Sequence, residues 1–247
     1  MSTLECITEG VTLPLFSTLF SKTFLILGFQ LLITFIGARA ALAFIRKLYN
    51  EGAAGVAASR TDFGDVDINI GWEFVGPYFF GLLILDILLF LLLMFYGIDN
   101  LKIGVPVFFA WSALAGAQVA LALITVDEDL GARVLAITVL IALLAAVAGM
   151  YSGIDYSAAG KFLFYGLSGL IIFGIARQFM HIRRAAQRVF AFFGVMVFTG
   201  YLIFDFNHLH RLGRASVNDW HSAMSVSISL YLDVINLFFD LLDTLSR

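Results

Sequence analysis

Apolar residues in this chain fall in blocks of roughly twenty, long enough to cross the hydrocarbon of a bilayer as a helix. Short polar connections separate most of the blocks. Most are apolar all round, without the single stripe that a soluble amphipathic helix carries. The pattern predicts seven spans, at about Thr23–Ile45, Trp72–Tyr96, Lys102–Val126, Val134–Ser152, Lys161–Ala176, Val189–Asn207 and Ser222–Leu245. Residues 1–21 read as an N-terminal tail, with an interfacial segment at Val11–Phe20, and residues 22–245 as one transmembrane domain. The longest connection, Leu48–Gly71, is polar and rich in Gly, Ala and Ser. Asp127-Glu128-Asp129 forms an acidic turn, and Arg177, His181, Arg183, Arg184 and Arg188 make the fifth-to-sixth connection basic. The fold class is therefore all-α, polytopic membrane protein.

Composition agrees: of 247 residues, 61% are hydrophobic and 13% charged, against about 45–50% and about 25% in an average soluble domain. A net charge of −3 gives no basic surface for nucleic acid. The single cysteine, Cys6, excludes an intramolecular disulfide and any multi-cysteine metal site. No nucleophile has recognisable partners and no glycine cluster forms a phosphate cradle, so no enzyme and no bound cofactor are expected. Asp62-Phe63-Gly64 matches a kinase triplet by chance, since nothing else of that motif set is present.

Seven spans put the two ends of the chain on opposite sides. Five basic residues (Lys22, Lys102, Lys161, Arg211, Arg214) fall on the N-terminal side. Nine (Arg46, Lys47, Arg60, Arg133, Arg177, Arg183, Arg184, Arg188, Arg247) fall on the other. The positive-inside rule then leans towards an outside N-terminus.

Charges inside spans are costly and are functional candidates by default. Three carboxylates qualify: Asp86, Asp205 and Asp233. At about 3.6 residues per turn, Ser225, Ser229, Asp233, Asn236 and Asp240 share one face of the seventh span, opposite Leu, Ile, Val and Phe. Such a stripe faces protein or water, so the last helix is expected inside the bundle. Tyr201 and His208 share a face with Asp205. If Asp205 and Asp233 approach each other they share a proton and titrate as a unit. Ionised, the pair offers hard oxygen ligands to calcium in transit. Asp86 either pairs with Arg39, the only basic residue well inside the first span, or snorkels. Gln30, Thr34 and Gln118 are expected to hydrogen-bond between helices. His208, His210 and His221 are expected to be solvated loop residues, not metal ligands.

Four segments carry a family resemblance. Leu230–Phe238, LYLDVINLF, resembles the terminal-helix signature of the transmembrane Bax inhibitor motif family, and Gly200–Asn207, GYLIFDFN, its penultimate-helix signature. Ser21–Gly37 is similar to the family's opening span, and Ala136–Ile171 to its middle. The resemblance implies seven helices with the last surrounded by the other six. It also implies that Asp205 and Asp233 are a pH-sensing aspartate pair in a calcium leak pathway. Arg39, Asp86, Ser229, Asn236 and Asp240 are the expected supporting network. The expected partners are the lipid bilayer, calcium and a membrane AAA protease. The family's basic residue on the second span has no counterpart in Trp72–Tyr96, so either Arg39 substitutes or the lock is absent. The family places the N-terminus in the cytoplasm, against the charge count, and orientation stays open. Two functions compete: a pH-sensitive calcium leak channel, and a membrane-embedded regulator of a protease or death-pathway partner without flux of its own. Compact tails point to a bacterial inner membrane.

Overall fold

The computed structural model describes residues 17–51, 56–60, 66–70, 72–124, 126, 128–179 and 183–246. Seven long helices run through them: α1 (Leu19–Asn50), α2 (Trp72–Leu92), α3 (Leu101–Ile124), α4 (Glu128–Tyr151), α5 (Ala159–Phe179), α6 (Arg184–Arg214) and α7 (Trp220–Leu245). A π-helical turn, Leu93–Gly97, extends α2. Six of the helices are long and apolar enough to cross a membrane. The described part of the other, α2, contributes the apolar stretch Ile84–Gly97. The chain is a multi-pass integral membrane protein, as the periodicity of its apolar blocks requires.

Helix ends depart from the expected spans in an informative way. The polar stretch after Asn207 does not leave the helix, because α6 continues to Arg214. At about 1.5 Å per residue its 31 residues measure about 46 Å, longer than the hydrocarbon is thick, and its arginine-bearing ends project beyond it. Asp205 therefore sits within the helix and not at its end. α4 begins at Glu128, within the acidic turn, so Asp129 falls in its first turn, where a carboxylate suits the helix dipole. The connection between α1 and α2 holds an antiparallel hairpin, β1 (Val56–Arg60) with β2 (Val66–Ile70), in register from Val56↔Ile70 to Arg60↔Val66. The N-terminal tail, and most of the interfacial segment expected at Val11–Phe20, lie outside the described residues. α1 is already helical at Leu19, where Thr18 caps it and Ser21 bonds back.

Polar bonds at the two ends show that the helices alternate in direction. At one end Lys22 Nζ donates to Asn218 O (2.8 Å), and His221 Nδ1 lies 2.8 Å from Ile98 O. There too Asn207 Nδ2 donates to Gly149 O (2.9 Å), closing the end of α4 onto α6. At the other end Arg177 of α5 meets Asp243 of α7, and Arg188 of α6 meets Ser246.

α7 is the inner helix. It packs against α1, α3, α4 and α6. In its most apolar window 56% is buried, against 0% in α5. Leu230, Tyr231 and Leu237 are fully enclosed. It is not ringed by all six neighbours, however: α2 leans chiefly on α3 and α5 on α6, on the outside of the bundle. Large apolar side chains on the outer helices, such as Phe162 and Ile172, stay exposed and meet lipid. The most extensive helix contact is between α1 and α3, where glycines replace side chains. A Cβ on Gly37 would strike the Ala113 backbone, and one on Gly116 the backbone of Thr34 and Ala38. Small residues at such contacts let dispersion forces and interhelical hydrogen bonds hold helices together in lipid, where burial of apolar surface gives little. Across this contact Ser112 Oγ donates to Gln30 Oε1 (2.6 Å). Thr34 Oγ1 and the Tyr231 hydroxyl lie 2.7 Å apart, tying α1 to α7. The interhelical role expected of Gln30 and Thr34 is what these bonds show.

Candidate functional site: a carboxyl pair at the base of an acidic cavity

The polar stripe of α7 faces an open-sided cavity of about 670 Å³ lined by α5, α6 and α7, with Phe90 of α2 on one wall. By this measure a single water needs roughly 10–15 Å³, so the space holds many. Ser229, Asp233, Asn236 and Asp240 line it in succession along α7, and Tyr201 and Asp205 approach from α6. Ser225, one turn further back on the same helix, is not among the lining residues. From Asp233 to Asp243 at the mouth is ten residues, about 15 Å along the axis.

Asp205 and Asp233 are both buried, 9% and 5% exposed, and their side chains stand within hydrogen-bonding reach of each other. Ionised carboxylates only accept hydrogen bonds, so a hydrogen bond between the two needs a proton on one of them. Two ionised carboxylates this close would repel each other. Asp233 Oδ2 is buried and takes no hydrogen bond from a neighbouring donor. The contact exists because α6 and α7 are adjacent antiparallel helices joined by the short connection after Arg214, which brings mid-helix positions of the two level with each other.

Asp240, one and a half to two turns beyond Asp233, makes the next acidic step. Its carboxylate lies against Gly194 of α6, where a Cβ would occupy the same space. Its Oδ2 is also buried and unpartnered. At the mouth Arg177 Nη1 donates to Asp243 Oδ2 at 2.9 Å, with both side chains nearly half exposed. Among the described residues Arg177 is the one basic residue lining the cavity. A bond between exposed partners is worth little by itself, so this one can open and close.

The expected pairing of Arg39 with Asp86 is corrected. Arg39 is exposed on α1, while Asp86 accepts from Trp111 Nε1 (3.0 Å) and Gln118 Nε2 (3.2 Å), both on α3. The physical reason is that α2 docks on α3 and not on α1. Neither Arg39 nor Asp86 lines the cavity. The basic lock that Arg39 was expected to supply is therefore not at the pair; the cavity's cation stands at the mouth. His208 and His210 lie within α6, not in a loop, and Asn207 spends its side chain on the connection after α4. Among the described residues no group of three or more His, Cys, Asp or Glu is arranged to hold a metal. Two carboxylates also fall short of the six to eight oxygens a resident calcium takes, so calcium enters the account only as passing cargo.

Tyr231, Arg177, Asp243 and Gly194 belong to the site or its frame and were not singled out from sequence. Asp243 had a signal, ten residues beyond Asp233 and near the same face. Arg177 had none beyond its charge.

The chain matches the model of the Bax1-I family, inhibitor of apoptosis-promoting Bax1, over residues 17–247. The chain belongs to the Bax1-I family. Similar proteins include Protein LIFEGUARD 1 of Arabidopsis thaliana, 35% identical over 95 residues, which are 38% of this chain and 38% of that one. Bax inhibitor 1 of Schizosaccharomyces pombe is 37% identical over 92 residues, 37% of this chain and 32% of that one. The Golgi anti-apoptotic protein of Vaccinia virus (strain Lister) is 37% identical over 92 residues, 37% and 36% of the two chains. The chain spans about a third of the length of these curated relatives in the matches. The family resemblance read from LYLDVINLF and GYLIFDFN is thus the family that the model match shows, and this Bax1-I member carries its buried carboxyl pair within those two segments.

Proposed function

We propose that this Bax1-I protein is a pH-sensitive, calcium-permeable leak channel whose gate is the Asp205–Asp233 pair. The observation that carries the reading is a pair of buried, neighbouring carboxyls in the wall of an acidic cavity large enough for many waters. With the proton in place, α6 and α7 are held together across the pathway. When it leaves, repulsion between the two carboxylates loosens that contact and presents oxygen ligands to a cation. The cation then moves past Asn236 and Asp240 to the mouth, where the Arg177–Asp243 bond must yield. Ser229 belongs to the same wall. Arg39 and Asp86 drop out of the pathway and act, in this reading, on helix packing alone. No enzymatic step and no cofactor is invoked.

The second reading is a membrane-embedded regulator that binds a membrane AAA protease or a cell-death partner. Its support is the wording of the family description and of the viral relative's name. The inner membrane of a bacterium is the setting we expect, tested by membrane fractionation of the host; the relatives reported above are from a plant, a yeast and a virus.

Calcium flux into proteoliposomes separates the two. The channel reading expects flux above empty liposomes that rises from mildly acidic to mildly alkaline pH. Asp205→Asn and Asp233→Asn should each flatten that rise while the protein stays folded. Absence of flux at every pH overturns the channel and leaves the regulator.

A further inference from the structure

Along α7 the acidic cavity carries a spacing that the Asp205–Asp233 contact does not use. Asp233 and Asp240 are seven residues apart, which puts them on nearly the same face of the helix and about 10.5 Å apart along its axis. Both line the cavity. In each, one carboxylate oxygen, Oδ2, is buried and takes no hydrogen bond from a neighbouring donor, and Asp233 as a whole is 5% exposed. A buried acceptor left without a donor is costly, so both oxygens call for donors that no neighbouring side chain supplies. Asn236, three residues from Asp233 and about 4.5 Å from it along the axis, lines the cavity between the two. The wall around them is apolar and aromatic: Leu232 and Phe239 of α7, Phe173 of α5, Phe198 and Tyr201 of α6. Arg177 is engaged with Asp243, beyond Asp240, at 2.9 Å.

We infer that the cavity is a binding site for a linear polyamine, with one ammonium group at Asp233, one at Asp240 and the methylene chain between them on the aromatic wall. An ammonium group carries donors only, up to three of them, and its hydrogen bonds to a carboxylate are charge-assisted. It also sits favourably on aromatic faces. A metal ion contacts one carboxylate station at a time, whereas a polyamine satisfies both at once. Length selects the ligand. An extended chain advances about 3.3–3.6 Å per three bonds, so nine bonds between end nitrogens cover about 10–11 Å. Spermidine and 1,8-diaminooctane have nine such bonds, while 1,4-diaminobutane has five and covers about 6 Å. The inner nitrogen of spermidine, four bonds from one end, comes level with Asn236, whose amide oxygen accepts hydrogen bonds. Bound there, the polyamine would fill the pathway proposed above, but its binding needs only the cavity and its carboxylates, not ion conduction.

The test is equilibrium binding to the full chain in phosphatidylcholine nanodiscs, read by isothermal titration calorimetry against empty nanodiscs. Ionic strength is held constant and the pH mildly alkaline, where alkylamines stay protonated. Spermidine and 1,8-diaminooctane should bind saturably, one per chain. 1,4-Diaminobutane, which reaches one station only, and octylamine, which has one charge, should bind at least about tenfold more weakly, for want of one charge-assisted hydrogen bond. Asp240→Asn should bring 1,8-diaminooctane down to the level of octylamine. Gly174→Leu keeps every charge and fills space instead: Gly174 lines the cavity, and a Cβ there meets nothing within 4 Å. It should weaken both nine-bond amines. Unchanged helical circular dichroism and gel-filtration elution establish that the variants are folded. Should Asp240→Asn not fold, Gly174→Leu and the length series on wild type decide. No saturable heat above empty nanodiscs, no preference for nine bonds over five, or equal binding by wild type and folded variants overturns the inference. Because no flux enters the measurement, that outcome leaves the channel reading standing, and absence of flux leaves the polyamine site standing.

Discussion

The α1–α3 contact gives a prediction whose sign differs between two glycines of one helix pair. Gly28 on α1 faces open space, whereas Gly116 on α3 lies against the backbone of Thr34 and Ala38. Gly28→Ala adds a methyl without a clash and should stabilise the helix by up to about 0.5–1 kcal/mol. Gly116→Ala gains the same propensity but forces the two backbones apart, an overpacking cost of about 1–3 kcal/mol. The separation also pulls at the Ser112–Gln30 bond (2.6 Å) and the Thr34–Tyr231 bond (2.7 Å), each worth about 0.6 kcal/mol in a membrane protein. Together these give a net loss of about 1–4 kcal/mol, or roughly 2–15 °C in melting temperature for a chain of this size. Gly37→Ala, aimed at the Ala113 backbone, should behave like Gly116→Ala. Thermal unfolding in detergent, followed by circular dichroism, reads all three. Equal effects of Gly28→Ala and Gly116→Ala would refute the α1–α3 registration on which the Gln30, Thr34 and Tyr231 network depends.

Two further predictions concern groups away from the pathway. Asp86→Ala leaves Trp111 Nε1 and Gln118 Nε2 without their acceptor. It should cost about 1–3 kcal/mol in thermal unfolding, while the pH profile of any flux keeps its midpoint, because Asp86 does not line the cavity. Asp219, at the start of α7, accepts from Ser222 N (2.8 Å) and Ser222 Oγ (2.9 Å). The Ser222 backbone N–H, and then its hydroxyl, hold the Asp219 carboxyl below the usual carboxylate range. A lowered folded-state value means the contribution is complete above the unfolded value of about 3.9 and fades as pH falls through the folded one. Hydrogen exchange at the first turn of α7 should therefore quicken on acidification below about pH 4. Asp219→Asn, which caps without ionising, should remove that acid dependence.

What the sequence disclosed and what it hid follow from the reach of each signal. Helical periodicity acts within about 3.6 residues per turn, so the face Ser229–Asp233–Asn236–Asp240 was legible, and it is the face that lines the cavity. Burial of the last helix was legible from the same stripe. Partners across helices were not, because periodicity says nothing of which helix stands next to which. Asp86 was matched with Arg39 on charge alone, while the docking of α2 on α3 gives it Trp111 and Gln118. Arg177 and Asp243 are 66 positions apart and meet only because α5 and α7 end on the same side. The hairpin had a visible signal in the alternation Val66-Asp67-Ile68-Asn69-Ile70, overlooked because the segment's overall polarity read as a loop. The helical continuation to Arg214 was hidden for the opposite reason: polar residues at a membrane surface extend a helix as readily as they end it.

The central claim is that Asp205 and Asp233 act as one titrating unit, and a double-mutant cycle on pH-dependent calcium flux tests it most directly. Flux is measured in proteoliposomes across mildly acidic to mildly alkaline pH for wild type, Asp205→Asn, Asp233→Asn and the double variant. Groups that share one proton are strongly non-additive. The account predicts that either single substitution abolishes the pH response and that the double variant matches the singles. Separate, additive losses from the two substitutions, or a full pH response in the double variant, would contradict it.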